Sequence, residues 1–124
     1  MRRVAAVAAA ALISSVGFAR AGDEGEPDQP CDGGTYPMVE CLGKQAAYWD
    51  KKLNAAYAEL MKTLESKQRE QLRAAQRLWV QYRDANCLYY RLGGGSIALV
   101  DAAECWRAMT KVRAQEFEDN GYRN

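Results

Sequence analysis

The residues with the most distinctive chemistry in this chain are four cysteines, Cys31, Cys41, Cys87 and Cys105. Four thiolates can hold a zinc ion, whereas two pairs of thiols can oxidise to two disulfides. Structural zinc sites usually contain pairs of cysteines separated by two residues, and no such pair occurs among these four. The spacing therefore favours disulfides, and we predict no metal site and no cofactor.

Most of the side chains that enzymes use are missing. The chain has no histidine, which excludes a Ser–His or Cys–His nucleophile and any histidine-based zinc site. It also lacks a glycine-rich phosphate loop and a Gly-x-Ser-x-Gly motif. An acid pair such as Asp50 and Asp84 is an alternative, as a hydrolase dyad, but nothing in the sequence marks a pocket around it. We therefore predict no catalytic residues and a protein that is not an enzyme.

The N-terminal segment determines the redox environment of the cysteines. A basic start is followed by an apolar run from Val4 to Val16, and Ala19–Arg20–Ala21 fits the small-x-small cleavage pattern. Because the run is too short to span a bilayer, residues 1–21 are predicted to be a secretory signal peptide. Export to an oxidising compartment favours disulfides. We predict a periplasmic or secreted protein without a membrane anchor after cleavage.

Removal of the predicted signal peptide leaves 103 residues, which is the size of one domain. These contain 14 basic and 16 acidic residues, and a net charge of −2 is too small to attract nucleic acid or membranes in general. Residues 22–34 are rich in Gly, Pro and acidic residues and are predicted to be a flexible leader held at Cys31. A helical domain is expected over residues 35–119, followed by a tail over residues 120–124.

Apolar residues recur at helical spacing through that domain. The first helix is expected to begin near Thr35, as its N-cap, and its apolar stripe consists of Met38, Leu42, Ala46, Trp49, Leu53, Tyr57, Leu60 and Leu64. We predict a break near residues 65–67, with Ser66 as the next N-cap. One continuous helix through Tyr90 is the alternative, but such a rod would leave its apolar stripe uncovered. The face predicted for the second helix consists of Leu72, Ala75, Trp79, Tyr82, Asn86 and Cys87.

Three consecutive glycines, residues 93–95, predict the end of the second helix. Ser96 is expected to cap a third helix that runs to about Glu118, with an apolar side that consists of Ile97, Val100, Ala103, Met109, Val112 and Phe117. No segment alternates with a period of two for long enough to predict a sheet. We predict an all-α fold, a small antiparallel three-helix bundle stapled by two disulfides, with Tyr57, Trp79 and Tyr82 in its core.

Two sets of disulfides fit this topology. Cys87 and Cys105 flank the glycine turn between adjacent helices, so the pairs Cys87–Cys105 and Cys31–Cys41 are preferred. The alternative set is Cys41–Cys87 with Cys31–Cys105, because the start of the first helix also lies near the end of the second. In both sets the four cysteines gather at one end of the bundle.

The motif residues between Cys41 and Arg113 resemble a known family. They are Cys41–Leu42, Asp50, Leu53, Asn54, Tyr57, Leu60, Ala75–Arg77, Trp79, Tyr82–Ala85, Cys87, Gly94–Ser96, Cys105, Thr110 and Arg113. The pattern is similar to the lysozyme inhibitor LprI N-terminal-like domain family. The resemblance implies an exported helical protein that binds a protein partner, with a lysozyme as the candidate. The alternative is an envelope protein-interaction or stress-related domain with another bacterial partner.

The charged residues of the motif have two interpretations. We expect Asp50, Arg83, Asp84 and Arg113 to form a polar network between helices that fixes their register. The alternative is a polar binding surface. A separate stripe of Arg69, Arg73 and Arg77 on the second helix is expected to be a solvated face.

The segment before the third helix is the candidate binding site. It contains Tyr89, Tyr90, Arg91 and Ser96 beside the glycine turn, and tyrosine and arginine are favoured anchors of protein interfaces. We predict that these four residues enter the cleft of a lysozyme and displace its substrate. The alternative is that the two tyrosines only cap the end of the bundle.

Overall fold

A computed structural model describes residues 29–121 of the chain. The predicted signal peptide, the first seven residues of the predicted leader and the last three residues of the chain lie outside the described residues. Three helices make up nearly all of the described chain: α1 (Thr35–Thr63), α2 (Ser66–Arg91) and α3 (Ile97–Gly121). No strand occurs between residues 29 and 121, so the prediction of an all-α fold is confirmed.

The break between α1 and α2 is confirmed, but it begins one residue before the predicted residues 65–67. Leu64 and Glu65 both have extended backbone, with ψ of 145° and 157°, and this two-residue link reverses the chain. The predicted caps are wrong. Gly34 and Glu65 occupy the N-cap positions, Thr35 and Ser66 are the first residues of their helices, and neither helix has a side-chain cap hydrogen bond. The helices are therefore held by packing rather than by their caps.

The third helix is the element on which the other two pack. α3 contacts α1 most extensively and α2 less so, whereas α1 and α2 touch each other little. α2 runs antiparallel to α3, because Arg83 lies beside Thr110 while Gln76 lies beside Arg113. The first and third helices run in the same direction, so the connectivity is up-down-up. This is the predicted three-helix bundle, with its largest interface between α1 and α3.

The core lies mainly between α1 and α3. It is formed by Trp49, Leu53, Leu60, Ala114 and Phe117. The aromatic rings of Phe117 and Tyr57 pack against each other in this core, with their centroids 5.7 Å apart. The helical stripe predicted for α1 is therefore the stripe that is buried. Partly buried Leu72 and Trp79 of α2 pack against its edge.

Three apolar residues that the sequence places in the core are exposed. Tyr82 is 62% exposed, Ile97 is 55% exposed and Val112 is 65% exposed. α2 has two apolar faces, and the buried face includes Arg83 and Cys87, so that exposed Tyr82 directly precedes buried Arg83. Adjacent residues point about 100° apart on a helix, so burial of the face that contains Arg83 leaves Tyr82 exposed to solvent.

The disulfides are Cys31–Cys41 and Cys87–Cys105, with Cα atoms 5.7 Å and 5.5 Å apart. The preferred pairing is confirmed, and the crossed set is excluded. Cys31 fastens the segment before α1 to the first turns of that helix. A second contact holds the same segment, since buried Gln45 donates a hydrogen bond from Nε2 to the carbonyl oxygen of Gln29 at 2.7 Å. None of the helices between residues 29 and 121 is long and apolar enough to cross a membrane.

Candidate functional site

The turn between α2 and α3 is built from backbone hydrogen bonds at both ends. The N–H of Leu92 donates to the carbonyl of Leu88, and that of Gly93 donates to the carbonyl of Tyr90, each at 3.0 Å. On the other side, the N–H of Leu99 donates to the carbonyl of Ser96 at 3.2 Å. Ser96 directly precedes α3, as the sequence predicts. The turn is therefore short and anchored to both helices.

The three glycines of this turn are not equivalent. Gly95 has φ of +76°, a conformation that side-chain-bearing residues rarely adopt. A Cβ at Gly93 would lie 3.1 Å from the carbonyl oxygen of Tyr90, which is tighter than ordinary contact. A Cβ at Gly94 would meet nothing within 4 Å. The shape of the turn thus depends on Gly95 and Gly93 and not on Gly94.

The residues predicted to bind a partner lie in the last turn of α2 and in the turn that follows it. Tyr89 is 73% exposed and Tyr90 is 43% exposed, and their rings meet edge to face with centroids 5.3 Å apart. Arg91 and Ser96 are also exposed. Within residues 29–121 the guanidinium of Arg91 has no ion pair or side-chain hydrogen bond. These side chains are therefore available for contacts with another molecule.

A disulfide lies directly behind these residues. Cys87 is buried in the last turns of α2, two residues before Tyr89, and it joins that helix to Cys105 of α3. Asn86 adds a second tie, with Nδ2 at 3.3 Å from the sulfur of Met109. The end of α2 therefore cannot separate from α3 while the disulfide is intact. A fixed backbone presents the tyrosines without the entropy loss of ordering a loop on binding.

A different cluster of aromatic and charged residues lies farther along α2, with Arg83 at its centre. The Arg83 side chain is 9% exposed, and its guanidinium lies 4.0 Å from the ring centroid of Trp106 and 5.1 Å from that of Trp79. Its Nη1 lies 3.4 Å from Oγ1 of Thr110, which in turn donates to the carbonyl of Trp106 at 2.7 Å. All these partners belong to α2 and α3.

Two carboxylates complete the surroundings of Arg83. Nε and Nη2 each lie 3.1 Å from Oδ1 of Asp84, and Nη1 lies 3.8 Å from Oδ1 of Asp50 on α1. Arg83 thus contacts all three helices, and it brings Asp50 and Asp84 to one guanidinium. Both carboxylates are half-exposed and form ion pairs with this cation.

Arg113 does not join Asp50 and Asp84. It donates from Nε to Oε1 of Gln76 at 3.0 Å and pairs with Glu116 at 2.7 Å. Its guanidinium lies 4.4 Å from the ring centroid of Phe117. The four charged motif residues therefore form one cluster around Arg83 and a separate contact at Arg113. Sequence reasoning missed Trp106, Thr110 and Gln76 as partners, although Trp106 and Thr110 stand one helical turn apart and so share a face.

The arginine stripe of α2 borders an open groove of about 440 Å³ between α1 and α2. Arg73 and Arg77 line it together with Asn54, Tyr57, Gln76, Val80 and Gln81. Arg69 is exposed and does not line it. The groove exists because α1 and α2 have little contact, and its arginines face solvent as a solvated stripe would. Within residues 29–121 no group of three or more His, Cys, Asp or Glu side chains is placed to hold a metal ion.

Comparison with known proteins gives one match. A family model described as "Lysozyme inhibitor LprI" matches residues 28–117, which include all three helices except the last four residues of α3, both disulfides and the turn before α3. No curated protein and no solved structure matches the chain.

Proposed function

The chain belongs to the lysozyme inhibitor LprI family, and from this membership we propose that it is a non-catalytic protein that inhibits a lysozyme by occluding its cleft. The single observation that carries the proposal is the group of exposed residues at the end of α2. Tyr89, Tyr90 and Arg91 project from a backbone fixed by a disulfide, and Arg91 has no ion pair within residues 29–121.

The chemistry of these residues fits a glycosidase cleft. Lysozymes cleave glycosidic bonds with a pair of carboxyl groups that flank the scissile bond. A guanidinium such as that of Arg91 can bind a carboxylate through two parallel N–H donors. The flat rings of Tyr89 and Tyr90 offer large contact areas with few rotatable bonds, and Ser96 adds a small hydrogen-bonding group at the edge. Together they would fill the space that the substrate needs.

The two disulfides and the family are compatible with an exported protein. We propose that residues 1–21 direct export, that the mature protein is periplasmic or secreted, and that the helical domain begins at residue 35 after a short acidic leader. Cell-wall hydrolases act in the same compartments, so export would bring the inhibitor to its target. The near-neutral charge provides little long-range steering towards cationic lysozymes. Binding therefore depends on close contact at the end of α2.

The cluster around Arg83 has a structural role in this proposal. Arg83, Asp50 and Asp84 join all three helices, and Arg113 joins α2 to α3 through Gln76. A buried guanidinium between two indole rings fixes how the helices face each other, because its donors accept only a narrow range of partner positions. The same register sets the direction in which Tyr89 and Arg91 project from α2.

An alanine set at Tyr89, Tyr90, Arg91 and Ser96 tests the proposal. The purified, disulfide-bonded protein is titrated into lysozyme-driven lysis of bacterial cell walls, with animal-type and bacterial hydrolases as targets. We expect the alanine set to lose inhibition at least tenfold while its helical content and unfolding midpoint stay unchanged. The matched control is Tyr36→Ala with Arg69→Ala, which removes an exposed tyrosine and an exposed arginine elsewhere.

Two outcomes would contradict the proposal in different ways. Full inhibition by the alanine set would show that another surface binds the lysozyme. If the folded, oxidised wild-type protein inhibits none of the hydrolases, the partner is not a lysozyme. The alternative of an envelope partner would then be preferred, and co-purification of bound proteins would replace the lysis assay.

A further inference from the structure

The outer face of α2 carries an apolar stripe that no part of residues 29–121 covers. Leu78 is 66% exposed, Tyr82 62% and Tyr89 73%, Ala85 between them is also exposed, and Leu92, the residue that caps the C-terminal end of α2, is 77% exposed. Their positions advance by four, three, four and three residues, so all five lie within about 80° of the helix circumference. Isolated exposed apolar residues are ordinary, but a continuous stripe over four turns marks an interaction surface.

The spacing of the stripe indicates that its occupant is a helix. Alternating steps of three and four are the pattern of a seam between two packed helices, where side chains of one helix fit between those of the other. The neighbouring residues along both sides of the seam are Trp79, Gln81, Asn86 and Leu88, none of which is charged. A second helix with the same uncharged residues beside its apolar stripe would pack along this seam without like-charge repulsion.

The order of residues in the stripe selects the partner. Read from either end, it is Leu, Tyr, Ala, Tyr, Leu, with Ala85 at the centre. A two-fold interface requires a surface that is complementary to its own reversed copy. Antiparallel pairing about Ala85 would place Leu78 opposite Leu92 of the second copy and Tyr82 near Tyr89. The small central alanine would let the two helix axes approach closely.

We propose that this chain forms a symmetric homodimer in which the α2 helices of two copies pair antiparallel about Ala85. From the exposed fractions of the two tyrosines and two leucines, the pair would bury on the order of 1,000 Å² in total, the lower limit for specific interfaces. The dimer is therefore weak and reversible. Tyr89 belongs both to this seam and to the proposed lysozyme-binding group, so dimerisation and lysozyme binding compete for it.

Sedimentation equilibrium of the purified, oxidised protein tests the dimer. We expect the average mass to rise from one chain to two across the micromolar to millimolar range. Leu78→Glu with Tyr82→Glu should raise the dimer dissociation constant at least tenfold, because the dimer would bury four carboxylates against leucine and tyrosine side chains. The matched control is Val112→Glu with Tyr36→Glu, which places the same charges at equally exposed positions on α3 and α1. Circular dichroism checks that every variant remains helical.

Cross-linking tests the antiparallel orientation. Ala85→Cys should form a disulfide-linked dimer on mild oxidation, because the two copies of residue 85 face each other at the two-fold axis. Leu78→Cys alone should not, since its partner position is residue 92. A monomer at all concentrations, or a dimer that the stripe variants do not weaken, would overturn the proposal. Efficient cross-linking through Leu78→Cys but not through Ala85→Cys would overturn the antiparallel pairing. Both measurements are made without a lysozyme, so failure of the dimer proposal and failure of the proposed function are distinguishable.

Discussion

Two regions of α2 contain the same residue types in opposite surroundings. Around Arg83, a guanidinium lies between the rings of Trp79 and Trp106, and every contact it makes is within the molecule. Two turns later, Arg91 lies beside Tyr89 and Tyr90 with no ion pair or side-chain hydrogen bond inside the described chain. Arginine with aromatic neighbours is therefore not in itself a sign of a binding site. What distinguishes the two regions is whether the partners are already supplied by the fold.

The comparison predicts that the two arginines separate stability from binding. Arg83→Ala should lower the free energy of unfolding by about 3–4 kcal/mol, because it removes buried packing between two indoles and leaves Thr110 and Asp84 without their partner. Arg91→Ala should change it by less than about 0.5 kcal/mol, as exposed substitutions usually do. Urea unfolding followed by circular dichroism measures both. Equal stability losses in the two variants would remove the distinction between the regions.

Removal of each disulfide in turn also separates effects on stability from effects on binding. In the chain-entropy model, Cys87→Ala with Cys105→Ala should cost about 3.2 kcal/mol of stability, and Cys31→Ala with Cys41→Ala about 2.7 kcal/mol. The stability losses are similar, but the positions differ. Only the first pair fixes the end of α2, so we expect its removal to weaken lysozyme inhibition at least tenfold below the melting temperature.

The second disulfide pair is the control in that experiment. Its loss should leave inhibition within twofold of the wild type, measured in the cell-wall lysis assay at a temperature where both variants remain folded. An equal loss of inhibition in both variants would show that general stability, and not the fixed end of α2, governs binding.

A smaller effect is expected at the turn. Gly95→Ala should destabilise the protein by about 1–2 kcal/mol, because alanine is strained at a φ of +76°. Gly94→Ala should be within about 0.5 kcal/mol of the wild type, since a Cβ there meets nothing. Thermal unfolding of the two variants side by side measures the difference. If Gly94→Ala proved to be the more damaging, the turn would have another conformation.

The smallest effect concerns salt. With a predicted mature charge of −2, the protein has little long-range attraction for a cationic lysozyme. The inhibition constant should therefore change less than about threefold between low and physiological ionic strength, over which charge screening changes strongly. Lysis assays at matched enzyme activity across a salt series measure this. A steep fall in affinity with salt would indicate that the lysozyme binds at the exposed arginines of the α1–α2 groove.

Much of the fold follows from the sequence. The apolar stripe of α1, the break before α2 and the glycine turn are local signals. The structure has the stripe and the turn where the pattern places them, and the break one residue earlier. The order of the helices favours the observed disulfide pairing but is also compatible with the crossed set. The helix caps could not be predicted from the sequence. Gly34 and Glu65 occupy the N-cap positions without a side-chain hydrogen bond, so the usual N-cap residue types do not mark them.

The outer face of α2 shows why the rest could not be predicted. A helical pattern tells which residues share a face, but not which of two apolar faces meets the core. The buried face of α2 contains Arg83, which hydropathy assigns to solvent, whereas the exposed face contains Leu78 and Tyr82. Burial of Arg83 becomes favourable only once Trp106 and Thr110 of α3 surround it, and these partners are more than twenty residues away in sequence.

The measurement that most directly tests whether this protein inhibits a lysozyme is a titration of the disulfide-bonded chain into a lysozyme, read by cell-wall lysis and by calorimetry. We expect lysis to stop at one inhibitor chain per enzyme, with a matching stoichiometry of heat. The alanine set at Tyr89, Tyr90, Arg91 and Ser96 should bind at least tenfold more weakly in the same titration. The absence of both inhibition and binding heat for every lysozyme, in a sample with both disulfides intact, would contradict the proposed function.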